Sequence, residues 1–155
     1  MKSVIVTLLG GAVLAASLSA VAQVAPEDQI KFRKAGYSYM SWNMGKIKAQ
    51  VIDGAVEYNQ QQVLAAATTI DAIANSGMGA LYGPGTEQNV GNQTTRANPE
   101  LFNNFPDVAE LSGNLNQATA NLVAAAQADD QGQIRAAFGQ VGQACKACHD
   151  KYRMD

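Results

Sequence analysis

Both cysteines and the one histidine of this 155-residue chain stand in a single five-residue run, Cys145-Lys146-Ala147-Cys148-His149. The surrounding sequence reads as helix. There Cys145 and Cys148, three residues apart, share a face, and His149 follows Cys145 by four residues. One turn can therefore present two thiols and an imidazole to one flat ligand. C-x-x-C-H is the attachment signature of c-type haem, in which the thiols add to the porphyrin vinyl groups and the imidazole ligates the iron. Other uses of the run fit less well. A thioredoxin-type redox pair precedes a helix within a βαβ pattern, and this chain shows no such pattern. A structural zinc site takes about four protein ligands, and only three Cys or His are available. A Cys145–Cys148 disulfide stays open in an oxidising compartment, although helical spacing holds the sulfurs poorly for it.

The first residues read as an export signal. Lys2 supplies a short positive start, Val4 to Leu18 is apolar with small residues, and Ala20-Val21-Ala22 offers an A-x-A cleavage site. The apolar run is too short and glycine-rich for a confident membrane span. Residues 1–22 are thus expected to be removed, leaving one domain over 23–155, free of the membrane and located in the periplasm, where bacterial haem c is attached. Cleavage removes one charged residue, Lys2, and moves the formal charge from −2 to −3. That mild acidity argues against a nucleic-acid partner.

An alanine-, leucine- and glutamine-rich chain with few β-branched runs points to an all-α fold. Pro26-Glu27-Asp28 is a good helix start, and Ile30, Tyr37, Met40, Met44, Ile47 and Val51 follow as a heptad-like inward stripe. Gly36 and Gly45 on this helix would let another helix or a flat ligand approach closely. Phe32, Tyr39 and Trp42 lie largely off the stripe and form a second apolar face suited to self-association. After a break at Asp53-Gly54, Asn59 with Gln62 opens a second helix, stopped by Asn75-Ser76-Gly77. A long irregular stretch, 77–98, is of the length that is usually functional, and its Arg96 is a candidate propionate partner. Pro99-Glu100 opens a short turn. Pro106-Asp107 then begins a third helix with Val108, Leu111, Leu115, Ala118, Leu122 and Ala125 inward. Asp129-Asp130 closes it and caps a fourth, whose stripe Ile134, Ala137/Phe138, Val141, Cys145, Cys148 and Tyr152 carries the motif. Four such helices with mostly short links predict an antiparallel up-down-up-down bundle with covalent haem in its core.

With one histidine, the second face of the iron falls to another residue type. Met154 is five residues after His149 and lies on the same side, while Met78 sits in the long loop. Met40 and Met44, on the first helix, are the candidates for a low-spin, methionine-ligated electron carrier. Tyr37 shares their stripe. A neutral phenol, with a pKa of about 10, is a poor ligand and would instead crowd that face, leaving five-coordinate, high-spin iron able to admit a small gas.

Several segments resemble the cytochrome c′ family, the class II c-type cytochromes with C-terminal haem attachment. They are Lys31-Phe32-Arg33-Lys34-Ala35-Gly36-Tyr37, Gly83-Pro84-Gly85-Thr86, and Phe138-Gly139-Gln140-Val141-Gly142 leading into the motif and Asp150-Lys151-Tyr152-Arg153. Gly36-Tyr37 and Trp42-Asn43-Met44-Gly45-Lys46-Ile47 are similar to the purple-sulfur-bacterial type. The resemblance implies one covalent haem c per chain through Cys145 and Cys148, with His149 as axial ligand, Tyr37 as distal gate and Arg153 in the proximal pocket. It places Arg33, Lys34, Thr95 and Arg96 at the haem edge or propionates. It further implies a non-enzymatic protein that binds nitric oxide and carbon monoxide, with a role in electron transfer or protection from nitric oxide. The implied assembly is a homodimer through the first two helices, sensitive to ligand; the redox partner stays unidentified. Tyr37 stands where low-spin relatives carry a methionine, which disfavours the methionine-ligated alternative.

Overall fold

Helix α1, Pro26–Ile47, starts where its sequence predicts: Pro26 occupies the first turn, and Glu27 and Asp28 face the positive end of the helix dipole. The computed structural model describes residues 24–155, so the expected export signal and its cleavage site lie outside the described residues. The helix runs on into a π-helical turn, Lys48–Ile52, and breaks at Asp53, followed by Gly54 in the left-handed region at φ 61°. Helix α2, Gln60–Ala74, is capped by Asn59, whose Oδ1 accepts from the Gln62 amide at 3.0 Å. Gln50 Oε1 in turn accepts from the Asn59 amide at 2.8 Å, so the π turn also fixes this cap.

Helix α3, Phe105–Gln127, begins one residue before the expected Pro106. Helix α4, Gln131–Tyr152, is capped by Asp130, which accepts from the Gly132 and Gln133 amides, while the Gln133 side chain returns to Asp130 Oδ2 at 2.9 Å. Helix α1 packs on α2, α2 on α3 and α3 on α4, and α4 meets the π turn, where Arg135 Nε donates to the Val51 carbonyl at 2.8 Å. The result is the four-helix bundle expected from the stripes. No described helix is long and apolar enough to cross a membrane.

The continuous buried core occupies one part of the bundle. Ile47 and Val51, Ile70, Leu122, and Ile134 and Val141 are its fully buried anchors. Toward the motif, packing thins: Val108, Leu111 and Leu115 of α3 and Ala144, Cys145 and Cys148 of α4 are only half-buried. On the inward stripe of α1, Tyr37 at this level is 41% exposed. Of the two helix glycines, Gly36 does admit a neighbour: a Cβ there would stand 2.9 Å from Met78 Cε. Gly45 faces nothing within 4 Å. Phe32, Tyr39 and Trp42 form an exposed face as predicted, with Tyr39 and Trp42 stacked at 5.3 Å and Lys46 Nζ 4.6 Å above the Trp42 ring.

Asn59→Ala removes the α2 cap and is expected to cost about 1 kcal/mol of stability, measured as a lower urea midpoint at unchanged slope.

Candidate haem site

Three residues on the first turns of α1 hold the long loop 77–98 against the bundle. Glu27 Oε1 accepts from the Asn92 amide at 3.1 Å. Gln29, 2% exposed, accepts from the Gly83 amide at 2.9 Å and donates to the Val24 carbonyl at 2.6 Å. A Cβ on Gly83 would sit 2.8 Å from Gln29 Oε1, so a side chain there would push the Gln29 amide from its bond to the Gly83 N–H. Arg33 is the main anchor. Its Nη1 donates to the Leu81 carbonyl at 3.1 Å and Thr86 Oγ1 at 2.9 Å, and its Nη2 to the Thr86 carbonyl at 2.8 Å and Thr95 Oγ1 at 2.6 Å.

Arg33 is only 3% exposed, and among the described residues no carboxylate pairs with it. Its charge is met by four neutral oxygens and by the Tyr82 ring, whose centroid lies 4.6 Å from the guanidinium carbon. Burial lowers the Arg33 pKa from its usual value, partly offset by Tyr82 and Tyr37. A buried cation without an anion is costly, and the chemistry that would complement it is a carboxylate. Lys34, next along the helix, is exposed and has no hydrogen bond or ion pair among the described residues.

Tyr37 stands one helical turn beyond Arg33, with its hydroxyl 3.4 Å from that of Tyr82. Although 41% of Tyr37 is accessible, its hydroxyl end is crowded. Burial first, then Tyr82 and the Cys148 thiol, push its phenol far above the ordinary range. Tyr82 is shifted the same way, chiefly by burial. Burial thus favours the neutral form of both phenols, and the packing of Tyr82 on Phe102, in a turn that meets α4, puts the pair at the motif end of the bundle. Tyr82 packs on Phe102 at 6.2 Å, which in turn meets Phe105 edge-on at 6.4 Å.

The methionines divide by position. Met40 lies in the buried core, Met44 packs against it, and Met78 covers Gly36 beside Tyr37. Cys145 and Cys148 are free, half-buried thiols one turn apart on α4, each raised above the usual thiol pKa first by burial. His149 follows on an exposed flank, its Nδ1 3.4 Å from Arg153 Nη1; a guanidinium only donates, so with Nε2 as the lone-pair nitrogen the pair is a contact and not a hydrogen bond. Burial, then Arg153, lowers the imidazole pKa, favouring the neutral form that binds metals. Among the described residues no three His, Cys, Asp or Glu side chains gather to hold a metal. An iron at His149 would therefore need the further ligands of a macrocycle.

Arg96 is not brought to Arg33. Its Nε donates to the Met154 carbonyl at 3.0 Å, and it lines a cavity of about 570 Å³ with His149, Asp150, Arg153, Met154 and Asp155. Thr95, by contrast, is bound directly to Arg33. The motif end of α4 is clamped to α3 by Asp107, which accepts from Lys151 Nζ at 2.9 Å and from the Tyr152 hydroxyl at 2.6 Å. The Tyr152 bond, with Lys151, holds the Asp107 carboxyl below its usual range, and the same bond pushes the Tyr152 phenol up to about 12.

The family model for cytochrome c′ matches residues 28–153. The chain belongs to the cytochrome c′ family. It is 50% identical over 155 residues to the cytochrome c′ of Allochromatium vinosum, covering 99% of each sequence. The cytochrome c′ structure from Thermochromatium tepidum superposes with a TM-score of 0.82 at 56% identity, over 86% of this chain and 100% of that one. A second solved cytochrome c′, described as having an unusual ligand-controlled dimer dissociation, matches with a TM-score of 0.82 at 52% identity over 85% and 98%. Variants of Alcaligenes xylosoxidans cytochrome c′ solved with bound nitric oxide and with bound carbon monoxide match with TM-scores of 0.74 at 30% and 31% identity, over 85% of this chain and 98% of theirs.

Cytochromes c′ bind haem c, and the residues here fit that group. Two free thiols and an imidazole share one end of α4, Arg33 of α1, buried without a carboxylate, is joined to that end through Thr95 and residues 96–98, and the apolar residues of α3 and α4 there are only half-buried. Tyr82, Gln29 and Thr86 were not singled out as site residues from the sequence. Thr86 is fully buried and bonded twice to Arg33, yet its signal was only a place in the Gly-Pro-Gly-Thr run. Tyr82 was one aromatic residue in a glycine-rich loop.

Arg33→Ala would strand the Thr86 and Thr95 oxygens and is expected to cost about 2 kcal/mol or more. Lys34→Ala should stay within about 0.5 kcal/mol; chemical denaturation compares them. A phenol raised in the folded state contributes stability that is whole below its ordinary pKa of about 10 and is lost as pH climbs through the folded value of about 12. Thermal melts across that window should show wild type losing more stability than Tyr152→Phe.

Proposed function

We propose that this chain is a periplasmic haem c protein that binds nitric oxide and carbon monoxide on a face guarded by Tyr37. The observation that carries the reading is the placement of the Tyr37 phenol, in contact with Tyr82, at the motif end of the bundle in a chain with no second histidine. Gas-bound members of the family support it. One haem per chain would be held through Cys145 and Cys148, with His149 Nε2 as the nitrogen available to its iron. When bound, the group would supply an iron centre able to take up a diatomic gas.

The chain's own residues do the rest. Arg33, steadied by Thr95, offers positive charge to the propionate edge, and Lys34 extends that charge at the exposed rim. Arg96 and Arg153 add two guanidinium groups on the side of His149. A neutral phenol is a poor iron ligand, and burial pushes Tyr37 further toward that neutral form. Tyr37 excludes water and larger ligands instead, and a diatomic enters by displacing the ring from its contact with Tyr82. Met40 and Met44 are committed to the core, so a methionine-ligated electron carrier draws no support from them.

The protein acts by binding and by electron transfer rather than by turnover, in a role such as protection from nitric oxide. The exposed Phe32, Tyr39 and Trp42 face on α1, with Ile52 and Val56 between α1 and α2, is the surface for a homodimer through the first two helices. Because Tyr37 lies on the same helix, ligand entry reaches that surface directly. The ligand-controlled dissociation described for a solved relative is the precedent.

The ferric spectrum of the isolated protein should be high-spin; a low-spin spectrum with a methionine–iron charge-transfer band would overturn the assignment. Tyr37→Ala should raise the carbon monoxide association rate by about tenfold or more, the rate equivalent of about 1.4 kcal/mol of packing no longer displaced. Stopped-flow mixing measures it, and an unchanged rate would remove Tyr37 as the gate.

A further inference from the structure

Helix α4 ends at Tyr152, and Arg153 leaves it in extended conformation, φ −118° and ψ 124°. A residue just past a helix end is ordinarily free to fray. Here it is not free. Ala97 and Arg153 form an antiparallel bridge, flanked by Asn98 N–H donating to the Tyr152 carbonyl at 2.8 Å and Met154 N–H donating to the Arg96 carbonyl at 2.8 Å. The Arg96 side chain closes the pairing a second time, through Nε to the Met154 carbonyl at 3.0 Å. Arg153 is thus bonded on both sides by segment 96–98, and its own amide returns to the His149 carbonyl at 3.1 Å.

The geometry points to Arg96 as a positioning residue for Arg153: by strapping Met154, it holds the Arg153 guanidinium against the imidazole of His149. The inference rests on the reading of His149 as axial ligand and goes beyond it, since it gives Arg96 a role through Arg153 instead of a direct one at a propionate. The strap is itself pinned to the opposite side of the bundle. Thr95 Oγ1 accepts from the Ala97 amide at 3.1 Å and from Arg33 Nη2 at 2.6 Å. A continuous bonded path therefore runs from Arg33 on α1 through Thr95 and the 96–98 strap to Arg153, whose guanidinium lies 3.4 Å from the ring of His149. One loop sets the surroundings of both sides of the site.

Two variants weaken the strap without changing charge. Met154→Pro deletes the amide that donates to Arg96, and an extended Arg153 is the backbone that a following proline prefers. Arg96→Lys keeps the cation and loses the Nε bond. In the holoprotein, both should shift the iron–histidine stretching band in the direction that Arg153→Ala shifts it. Neither should shift it further in an Arg153→Ala background, as the double-mutant cycle requires of a residue acting through another. Exchange of the Asn98 amide, which does not depend on the cofactor, should quicken by about fivefold or more in both. A band shift that persists without Arg153 would show Arg96 acting directly on the haem and overturn the proposal. So would an Asn98 amide that exchanges as slowly as in wild type. Absence of covalent haem in a pyridine haemochrome assay would instead overturn the reading of His149, with the strap still legible in amide exchange.

Discussion

Burying the Arg33 guanidinium without a carboxylate is the constraint on which the rest of the site depends. An isolated cation taken out of water must find dipoles to replace its hydration. Here they come from one loop: the Leu81 and Thr86 carbonyls and the Thr86 and Thr95 hydroxyls. Each bond fixes a different point of residues 81–95, so an irregular segment takes a single shape although it lacks a core of its own. Tyr82 lies on the guanidinium as part of the same arrangement, and it is Tyr82 that meets Tyr37. The loop is therefore what a cofactor-free bundle would not need: a polar wall built around a positive charge.

The bundle supplies the complementary half. Its tightest packing lies toward the π turn and the α2 and α4 caps, where small and branched side chains fill the space between helices. Toward the motif the helices present half-buried apolar residues and two thiols, a surface suited to a flat apolar ligand with charged edges. Cytochromes c′ bind haem c, and the proposed place for it here is this surface. The clamp from Asp107 to Lys151 and Tyr152 keeps the end of α4 in register with α3. The 96–98 segment bonds the chain on either side of Arg153, whose guanidinium lies 3.4 Å from the His149 ring.

Local signals placed the helices well. Pro26, Asn59 and Asp130 start helices because capping and first-turn preferences act within about four residues, and the structure shows the Asn59 and Asp130 side chains bonded as those offsets require. Leu122, Ile134 and Val141 are buried where the heptad-like stripes put them. Tyr37 shares the stripe of α1 with core residues yet is 41% exposed, because periodicity reports a helix face and not what that face meets. At its level α1 looks onto the motif end, where packing is open.

The sequence by itself determined the four helices, the motif that concentrates all cysteine and histidine, and the lack of a second imidazole, because each is carried by identity or by spacing within one element. Only the tertiary structure decided how residues far apart in the chain share work. Gln29 with Gly83, Arg33 with Thr86 and Thr95, Tyr37 with Tyr82, and Arg96 with Met154 are separated by 45 to 62 residues. A loop of glycines, asparagines and threonines carries no period that encodes such pairings. They arise when a buried charge recruits whatever neutral oxygens the chain can bring to it, and that choice is made in three dimensions.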